Sequence, residues 1–242
     1  MTFRHTLSVA AFCLGAFAAF AAPAHVVISV SATANPGDLP RQLAAWRQAG
    51  AISGAQLLNV VAGAHSAETV PPNPALGAVA VVEFADEAAL TRWQESPAAK
   101  LAPGVVATRV NLLSRLDVTP RDSNAAIFLI AEYDITVPPA RYQEYVDGYV
   151  MPQMNAWKKS GLITSAVMFT ARDRAGAPFH AILLLEHRDA ATFARRDAVK
   201  DESRKQLAAD PVWKALSDVK ATIRTEKFLT RATLAELPAP AR

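Results

Sequence analysis

Two segments of this 242-residue chain occur twice in the same order, and this duplication constrains the fold more than any other feature. Residues 46–55 (WRQAGAISGA) return as 157–166 (WKKSGLITSA), and residues 83–92 (EFADEAALTR) return as 186–195 (EHRDAATFAR). The offsets are 111 and 103 residues, so one connection in the second copy is eight residues shorter. A repeat of about one hundred residues has the size of a domain, not of a solenoid unit.

The first 24 residues have the pattern of a secretory signal peptide. Arg4 and His5 precede an apolar run over 6–20, and residues 22–24 (APA) give a small-x-small cleavage site. The run is too short to span a bilayer as a helix. We therefore expect cleavage near Ala24, a periplasmic or secreted location, and no membrane association afterwards. Cleavage would also remove Cys13, the only cysteine, which excludes disulfides and thiol chemistry.

The charge balance argues against a nucleic-acid partner. The chain has 25 Lys and Arg residues against 22 Asp and Glu residues. Binding of nucleic acid requires basic residues concentrated on one face, whereas the cations after position 195 alternate with acids. We therefore predict no nucleic-acid binding.

Both copies have the order strand, helix, strand, strand, helix, strand. We predict a signal peptide over 1–24, a first repeat over 25–118, a linker over 119–124, a second repeat over 125–235 and a tail over 236–242. The first helix of the second repeat, 139–160, is long, and Pro152 inside it should bend or break it. The last helical region, 191–222, should break near Asp210 and Pro211.

This order is that of the split βαβ, or ferredoxin-like, unit, an α+β fold. Such a unit leaves one face of its sheet bare, and a second sheet must cover the apolar residues there. We therefore expect the two repeats to pack sheet to sheet as an intramolecular α/β barrel with the helices outside. In the alternative arrangement each half pairs with a second chain in a homodimer.

One segment carries a family resemblance. Residues 82–89 (VEFADEAA), followed by 93–97 (WQESP), resemble the strand-to-helix segment of the dimeric α/β-barrel superfamily. They are closest to its small stress-type and antibiotic-biosynthesis-monooxygenase-like members. The resemblance implies a ferredoxin-like barrel, but the superfamily includes cofactor-free monooxygenases, haem enzymes, isomerases and members without known activity. It therefore restricts the possible folds more than the possible functions.

Two strand-end carboxylates are candidates for general-base catalysis. Glu132 ends the predicted first strand of the second repeat, and Glu186 ends its third. We expect these two strands to be adjacent and parallel, which would place both carboxyls side by side and raise the pKa of one. Strand alternation puts His180 and Arg188 on the face of Glu186. The competing interpretation is a solvated glutamate at the barrel rim, paired with Arg188.

The histidines do not predict a metal site. His180 and His187 are seven residues apart on one strand, so their side chains point to opposite faces. We predict no metal and no cofactor. Haem held by His180 as a single axial ligand is the alternative, but a lone strand histidine is more often structural.

Tyr142, Tyr145 and Tyr149 lie three and four residues apart, on one stripe of the long helix. They are candidates to line a site for an aromatic or quinone-like ligand. The competing interpretation is a helix face packed on the sheet with the hydroxyls reaching solvent.

Three functions follow. The first is a binder of a small, largely apolar molecule in the barrel or under the long helix. The second is a monooxygenase- or isomerase-type enzyme, with Glu132 or Glu186 as the base and Tyr145 or His180 orienting the substrate. The third is a non-catalytic oligomerisation module.

Overall fold

The computed structural model describes residues 22–34, 38–61, 70–116 and 125–238. Most of the predicted signal peptide, the whole predicted linker and the end of the tail lie outside these residues. Within the described ranges, no helix is long and apolar enough to cross a membrane.

Each half of the chain has the predicted order of elements. The first half contains β1 (Ala24–Ser31), α1 (Leu39–Gln48), β2 (Gly54–Val60), β3 (Leu76–Phe84), α2 (Glu87–Glu95), a 3₁₀ turn (Pro97–Ala99) and β4 (Val105–Leu116). The second half contains β5 (Ile127–Ile135), α3 (Pro139–Tyr145), a π-helical turn (Val146–Val150), α4 (Met151–Lys159), β6 (Ser165–Ala171), β7 (Ala181–His187), α5 (Ala190–Ala194), α6 (Arg196–Leu207), α7 (Pro211–Asp218), α8 (Lys220–Ile223) and β8 (Arg224–Leu234).

The eight strands form one closed barrel in the order β1-β3-β2-β8-β5-β7-β6-β4. Each half supplies four strands, and the halves join where β2 pairs with β8 and β4 pairs with β6. The predicted intramolecular α/β barrel is therefore confirmed. Its closure satisfies the sheet edges that each half alone would expose.

The prediction that the first and third strands of a repeat are parallel is wrong. β1 pairs with β3, and β5 with β7, in antiparallel register. The reason lies in the connections. A helix returns the second strand parallel to the first, and a turn then reverses the chain into the third strand. The third strand must therefore run against the first.

Three apolar clusters hold the layers together. One lies inside the barrel and includes Val27, Ile130 and Phe169. The second packs α1 and α2 on the outer face of the first half, where Trp46 meets Trp93 edge to face with ring centroids 5.2 Å apart. The third packs the helices of the second half on the other outer face. The barrel lumen is thus filled by side chains.

Two equivalent helix ends show how the duplicated segments fold alike. Gly50 and Gly161 follow α1 and α4 with φ of 68° and 69°, a left-handed conformation that glycine adopts without strain. In both places the next amide donates to the carbonyl of the preceding tryptophan, Trp46 or Trp157, at 2.9 Å. Both tryptophans are buried, at 6% and 5% exposure, so the two equivalent helix ends pack on the core in the same way.

The long helix of the second half is interrupted as predicted. Pro152 has no amide hydrogen and cannot donate to the carbonyl of Gly148. The turn before it is π-helical, and the amide of Met151 donates to the carbonyl of Val146, five residues back. The last helical region also breaks at Asp210, whose carboxylate accepts from the amides of Val212 and Trp213 at the start of α7.

The buried imidazole of His187 should make stability depend on pH. Burial, with the charge of Arg196 as a smaller cause, lowers the pKa of His187 to about 4, against 6.5 in the unfolded chain. Between these values the unfolded state takes up a proton and the folded state does not. Stability should therefore fall as pH decreases from about 6.5 to about 4, by roughly 3 kcal/mol from this group.

Urea unfolding at pH 7.5 and pH 4 measures this effect. His187→Met should flatten the pH dependence of the unfolding free energy relative to the wild type. Leu185→Met, on the same strand and face, is the control and should leave that dependence unchanged. Equal pH dependence in wild type and His187→Met would contradict the assignment.

Candidate functional site

Both strand-end glutamates face the barrel lumen, but they lie at opposite ends of it. Glu132 is opposite Ile182 across the β5–β7 pair, and Glu186 is opposite Phe128. On β5, Glu132 is therefore four positions away from Phe128, the residue opposite Glu186, which corresponds to about 13 Å along the strand. The expected side-by-side pair therefore does not form, because the strands are antiparallel. A proton shared between the two carboxyls is excluded.

Glu132 is a buried acid with its own hydrogen-bond partner. Its side chain is 1% exposed, and Nδ2 of Asn73 donates to Oε2 at 2.7 Å. Burial raises the pKa of Glu132, while the Asn73 bond and the positive charge of Lys227 oppose that rise. The backbone amide of Asn73 also donates a hydrogen bond to Oγ1 of Thr230 at 2.9 Å. Residues 70–75, which lead into β3, thus cover this end of the barrel and enclose the carboxyl.

Glu186 is bound differently. It is 5% exposed, and Oγ of Ser165 donates to its Oε2 at 2.7 Å. Arg188 does not share its surroundings with Glu186. The Arg188 side chain is 71% exposed, and its Nε donates to Asp189 at 3.2 Å. Glu186 is therefore a buried residue at the barrel end rather than a solvated one.

His180 lies just before β7, at the edge of the barrel. The backbone amide of Ile135 donates to its Nδ1 at 3.1 Å, and Asp134 lies 3.9 Å from the same nitrogen. This hydrogen bond fixes the ring against β5. Position and bonding favour a structural role that anchors the chain entering β7.

The tyrosine stripe forms a stack of rings beneath α3 and the π-helical turn. Ring centroids are 6.0 Å apart from Tyr142 to Tyr145, 5.0 Å from Tyr145 to Tyr149, and 5.1 Å from Tyr149 to Trp213 on α7. Tyr142 and Tyr145 have no exposed surface. The expectation that the hydroxyls reach solvent is wrong for these two, because α7 and β8 cover the stripe.

Arg224 completes this cluster. It begins β8, and its guanidinium lies 3.8 Å from the ring centroid of Tyr133 and 5.4 Å from that of Tyr145. Burial raises the pKa of Tyr142 and Tyr145, and two effects of Arg224 oppose this rise: its charge and a hydrogen-bond interaction of its side chain with both hydroxyls. The geometry of this interaction is poor. The hydroxyls of Tyr142 and Tyr145 and Nη1 of Arg224 are buried, and no hydrogen bond of ordinary geometry joins them to the residues that the structure describes.

The sequence indicated the tyrosines but not Arg224, Tyr133 or Asn73. Arg224 follows a helical region with many basic residues, where one more cation carries no signal. Tyr133 alternates with Glu132 along β5 and so faces the helices, a relation that strand periodicity could have provided. Asn73 lies in a proline-rich connection whose fold over the barrel end is a long-range feature.

The surface of the described residues includes the following three cavities. One of about 620 Å³ lies between β4 and the β6–β7 turn, and one of about 660 Å³ lies near His25, Glu87 and Arg172. A third, of about 460 Å³, lies between α4 and α6. Neither Glu132 nor the tyrosine stripe lines any of them. In the described ranges, no group of three or more His, Cys, Asp or Glu side chains could hold a metal ion.

Comparisons with known proteins establish the fold. No family model matches the sequence, and no curated protein matches it. Among solved structures, the chain is similar to a candidate monooxygenase of Fusobacterium nucleatum, with 13% identity, a TM-score of 0.51 and coverage of 90% of this chain and 94% of the other. It is also similar to an anthrone oxidase-like protein, with 10% identity, a TM-score of 0.55 and coverage of 88% and 91%.

A haem-binding protein from Thermus thermophilus is similar over 88% of this chain and 91% of its own, at 12% identity and a TM-score of 0.43. That likeness is too low to bear on the cofactor. The histidines that the structure describes offer haem no open site. Neither His180 nor His187 lines one of the three cavities, and Nε2 of His25, which does line one, lies 3.5 Å from Glu83.

The two buried glutamates should respond differently to neutralisation. Because burial raises the pKa of Glu132, the folded state disfavours its charge, and this cost is present only above the pKa of the unfolded chain. Glu132→Gln keeps the shape and an oxygen for Asn73. It should raise the thermal midpoint at pH 8 by about 2–4 °C and change it much less at pH 4.

Differential scanning calorimetry at both pH values measures this. Glu186→Gln is the matched control, since Glu186 is also buried but accepts a hydroxyl hydrogen bond, and it should not be stabilised at pH 8. A lower midpoint for Glu132→Gln at pH 8 would show that the charged form is the favoured one.

Proposed function

We propose that the protein binds a small, mostly apolar molecule beneath α3, and that one acidic oxygen of this molecule meets the hydroxyls of Tyr142 and Tyr145 and Nη1 of Arg224. The observation that carries the proposal is that these three buried donors lie close together and that none of them has a hydrogen bond of good geometry among the described residues. The barrel lumen is the weaker location, because apolar side chains fill it.

Energetics support a ligand at this position. A buried donor without an acceptor costs about 1–3 kcal/mol, and more when it is charged. Arg224 is cationic, and no carboxylate in the described part of the chain forms an ion pair with it. Glu226 acts on Arg224 only through a longer-range charge interaction. An oxyanion would satisfy all three donors at once.

The surroundings define the rest of the ligand. The rings of Tyr133, Tyr145, Tyr149 and Trp213 supply flat, apolar walls. Such walls accept an aromatic or similarly planar body by stacking. A phenolate or enolate on a planar ring system combines both requirements.

Access requires movement, because Tyr142 and Tyr145 are fully covered. The π-helical turn that follows α3 supplies the point of movement. Turns of this kind are rare inside α-helices and are frequent at functional sites. Displacement of α3 about this turn would open the space in front of the hydroxyls.

The ligand proposal is tested with 4-nitrophenol, whose phenolate absorbs visible light. Wild-type protein should bind the phenolate and shift the titration of the probe to lower pH, because Arg224 favours the anion. Tyr142→Phe and Tyr145→Phe should each weaken binding about threefold to tenfold, and Arg224→Met should weaken it more. Tyr149→Phe is the control.

The same variants separate a binding role from a structural one. Because the two hydroxyls lack partners, Tyr142→Phe and Tyr145→Phe should leave the thermal midpoint unchanged or raise it. If both variants are destabilised and bind the probe as the wild type does, the hydroxyls serve the fold and the proposal fails.

A cofactor-free oxygenase is the second candidate, favoured by the buried Glu132 with its raised pKa. Glu132 would remove a proton from an activated CH₂ group, and dioxygen would be the oxidant. The CH₂ carbon becomes a carbonyl with one oxygen atom of O₂, and the other oxygen leaves as water. The similarity to an anthrone oxidase-like protein suggests anthrone as the first substrate to test.

An oxygen electrode with anthrone tests this candidate. Wild-type protein should consume one O₂ per anthrone, and Glu132→Gln should lower the rate by about 10²–10⁴-fold. Glu186→Gln should retain the rate. Equal rates in wild type and Glu132→Gln would remove Glu132 as the base.

A further inference from the structure

The strand registers place the two halves of the barrel in correspondence. His25 is opposite Glu83 and Val110 in the first half, as Phe128 is opposite Glu186 and Ala232 in the second. Counting along the strands from these positions matches two pairs of residues. Ser29 occupies the place of Glu132, and Thr108 occupies the place of Thr230.

These matched places are covered differently. At the place of Glu132, residues 70–75, which lead into β3, lie over β8. The backbone amide of Leu229 donates to the carbonyl of Pro71 at 3.0 Å, and the backbone amide of Asn73 donates to Thr230. At the place of Ser29, the matching connection is the β6–β7 turn, which has nine residues against fifteen between β2 and β3. This turn does not cover β4, and the 620 Å³ cavity lies there.

The walls of this cavity combine apolar surface with cations. Val106 is 51% exposed. The rest of the lining consists of Gln94, Ala107, Thr108, Arg109, Arg172, Asp173 and the turn residues 175–178. The lining carries two guanidinium groups and one carboxylate, that of Asp173. Since Oδ1 of Asp173 accepts from the amide of Ala175, this acid is partly engaged by its own turn.

Both arginines bind one acid, Glu87, which lines the neighbouring cavity near His25 and not this one. Arg109 and Arg172 each contact the carboxylate of Glu87, with Nη2 of Arg109 at 3.0 Å and Nη1 of Arg172 at 2.8 Å from Oε2. Two positive charges thus meet one negative charge. These contacts leave the guanidinium groups fixed in position and short of one counter-charge.

Two donors on the neighbouring strands make no hydrogen bond. Nε of Arg109 and Oγ of Ser29 are buried and bind no other group in the described parts of the chain. Ser29 is 9% exposed and pairs with Val106, so its side chain lies on the lumen face of the sheet, whereas Arg109 points to the outer face, where it meets Glu87 of α2. Of the two, Arg109 lines the cavity, and a ligand there could accept from its buried Nε.

We propose that this cavity is a second ligand site, which binds a small molecule with an apolar body and one anionic group. Val106 and the turn contact the apolar body, and Arg109 and Arg172 contact the anion. Its volume lies within the usual range of small-molecule sites, about 300–1,000 Å³. The site is independent of the one beneath α3, which lies on the helix-covered face of the other half.

Two fluorescent probes that share a ring system test this proposal. 8-Anilinonaphthalene-1-sulfonate is anionic, and N-phenyl-1-naphthylamine has the same rings without the sulfonate. Wild-type protein should bind both and prefer the anionic probe. Arg172→Gln should weaken the anionic probe about tenfold and the neutral probe less than twofold. Arg41→Gln, at an exposed arginine of α1, is the charge control.

Filling the cavity locates the binding. Val106→Trp and Ala175→Trp, from opposite walls, should each weaken both probes about tenfold or more. Val212→Trp is the matched control, since Val212 is 63% exposed on α7. The thermal midpoint of each variant shows whether it is folded. Two cavity-filling variants are used so that the test still stands if one of them does not fold.

The outcomes separate the two proposed sites. Probe binding that persists in both cavity-filling variants overturns this inference. If that binding is lost in Arg224→Met instead, the probes occupy the site beneath α3. If Val106→Trp abolishes binding and Arg224→Met does not, the cavity is a site of its own, whatever the fate of the proposed function.

Discussion

The pairing of sheet edges between the two halves is the constraint on which the rest of this structure depends. A single β-α-β-β-α-β unit has one bare sheet face and two open edges, and each is a liability in water. Here the unit occurs twice, and β2–β8 and β4–β6 pairing closes both edges while the bare faces form the lumen. The lumen residues therefore become buried when the edge strands form their hydrogen bonds, because the same closure of the barrel does both.

Closure also explains where the two halves were free to differ. The strands that line the lumen and form the seams must be apolar and must match each other in both halves. The connections at the barrel ends are under no such constraint and can differ in length and sequence. In one half a long connection brings Asn73 to a buried acid, Glu132. In the other a shorter turn leaves a serine at the matched place and open space beside it. Duplication thus supplied two equivalent positions, and loop length gave them different chemistry.

The sequence predicted the architecture because the relevant signals are local. Apolar spacing, a left-handed glycine after α1 and after α4, and one proline at position 152 specify the elements, and the repeat specifies how they combine. The candidate site was only partly predictable. Glu132 and Glu186 are recognisable as strand-end acids, but their separation depends on strand direction, which follows from the connections. Arg224 gave no signal, because its place beside Tyr133 is a tertiary contact.

The two seams of the barrel are of unequal length. β4 and β6 pair from Val110 to Leu116, whereas β2 and β8 pair only over Leu58–Val60. Fewer hydrogen bonds must break to part the shorter seam, so local unfolding should begin there. The two halves would then separate at the β2–β8 seam and stay joined along β4–β6. Water could enter the lumen while both halves keep their helices.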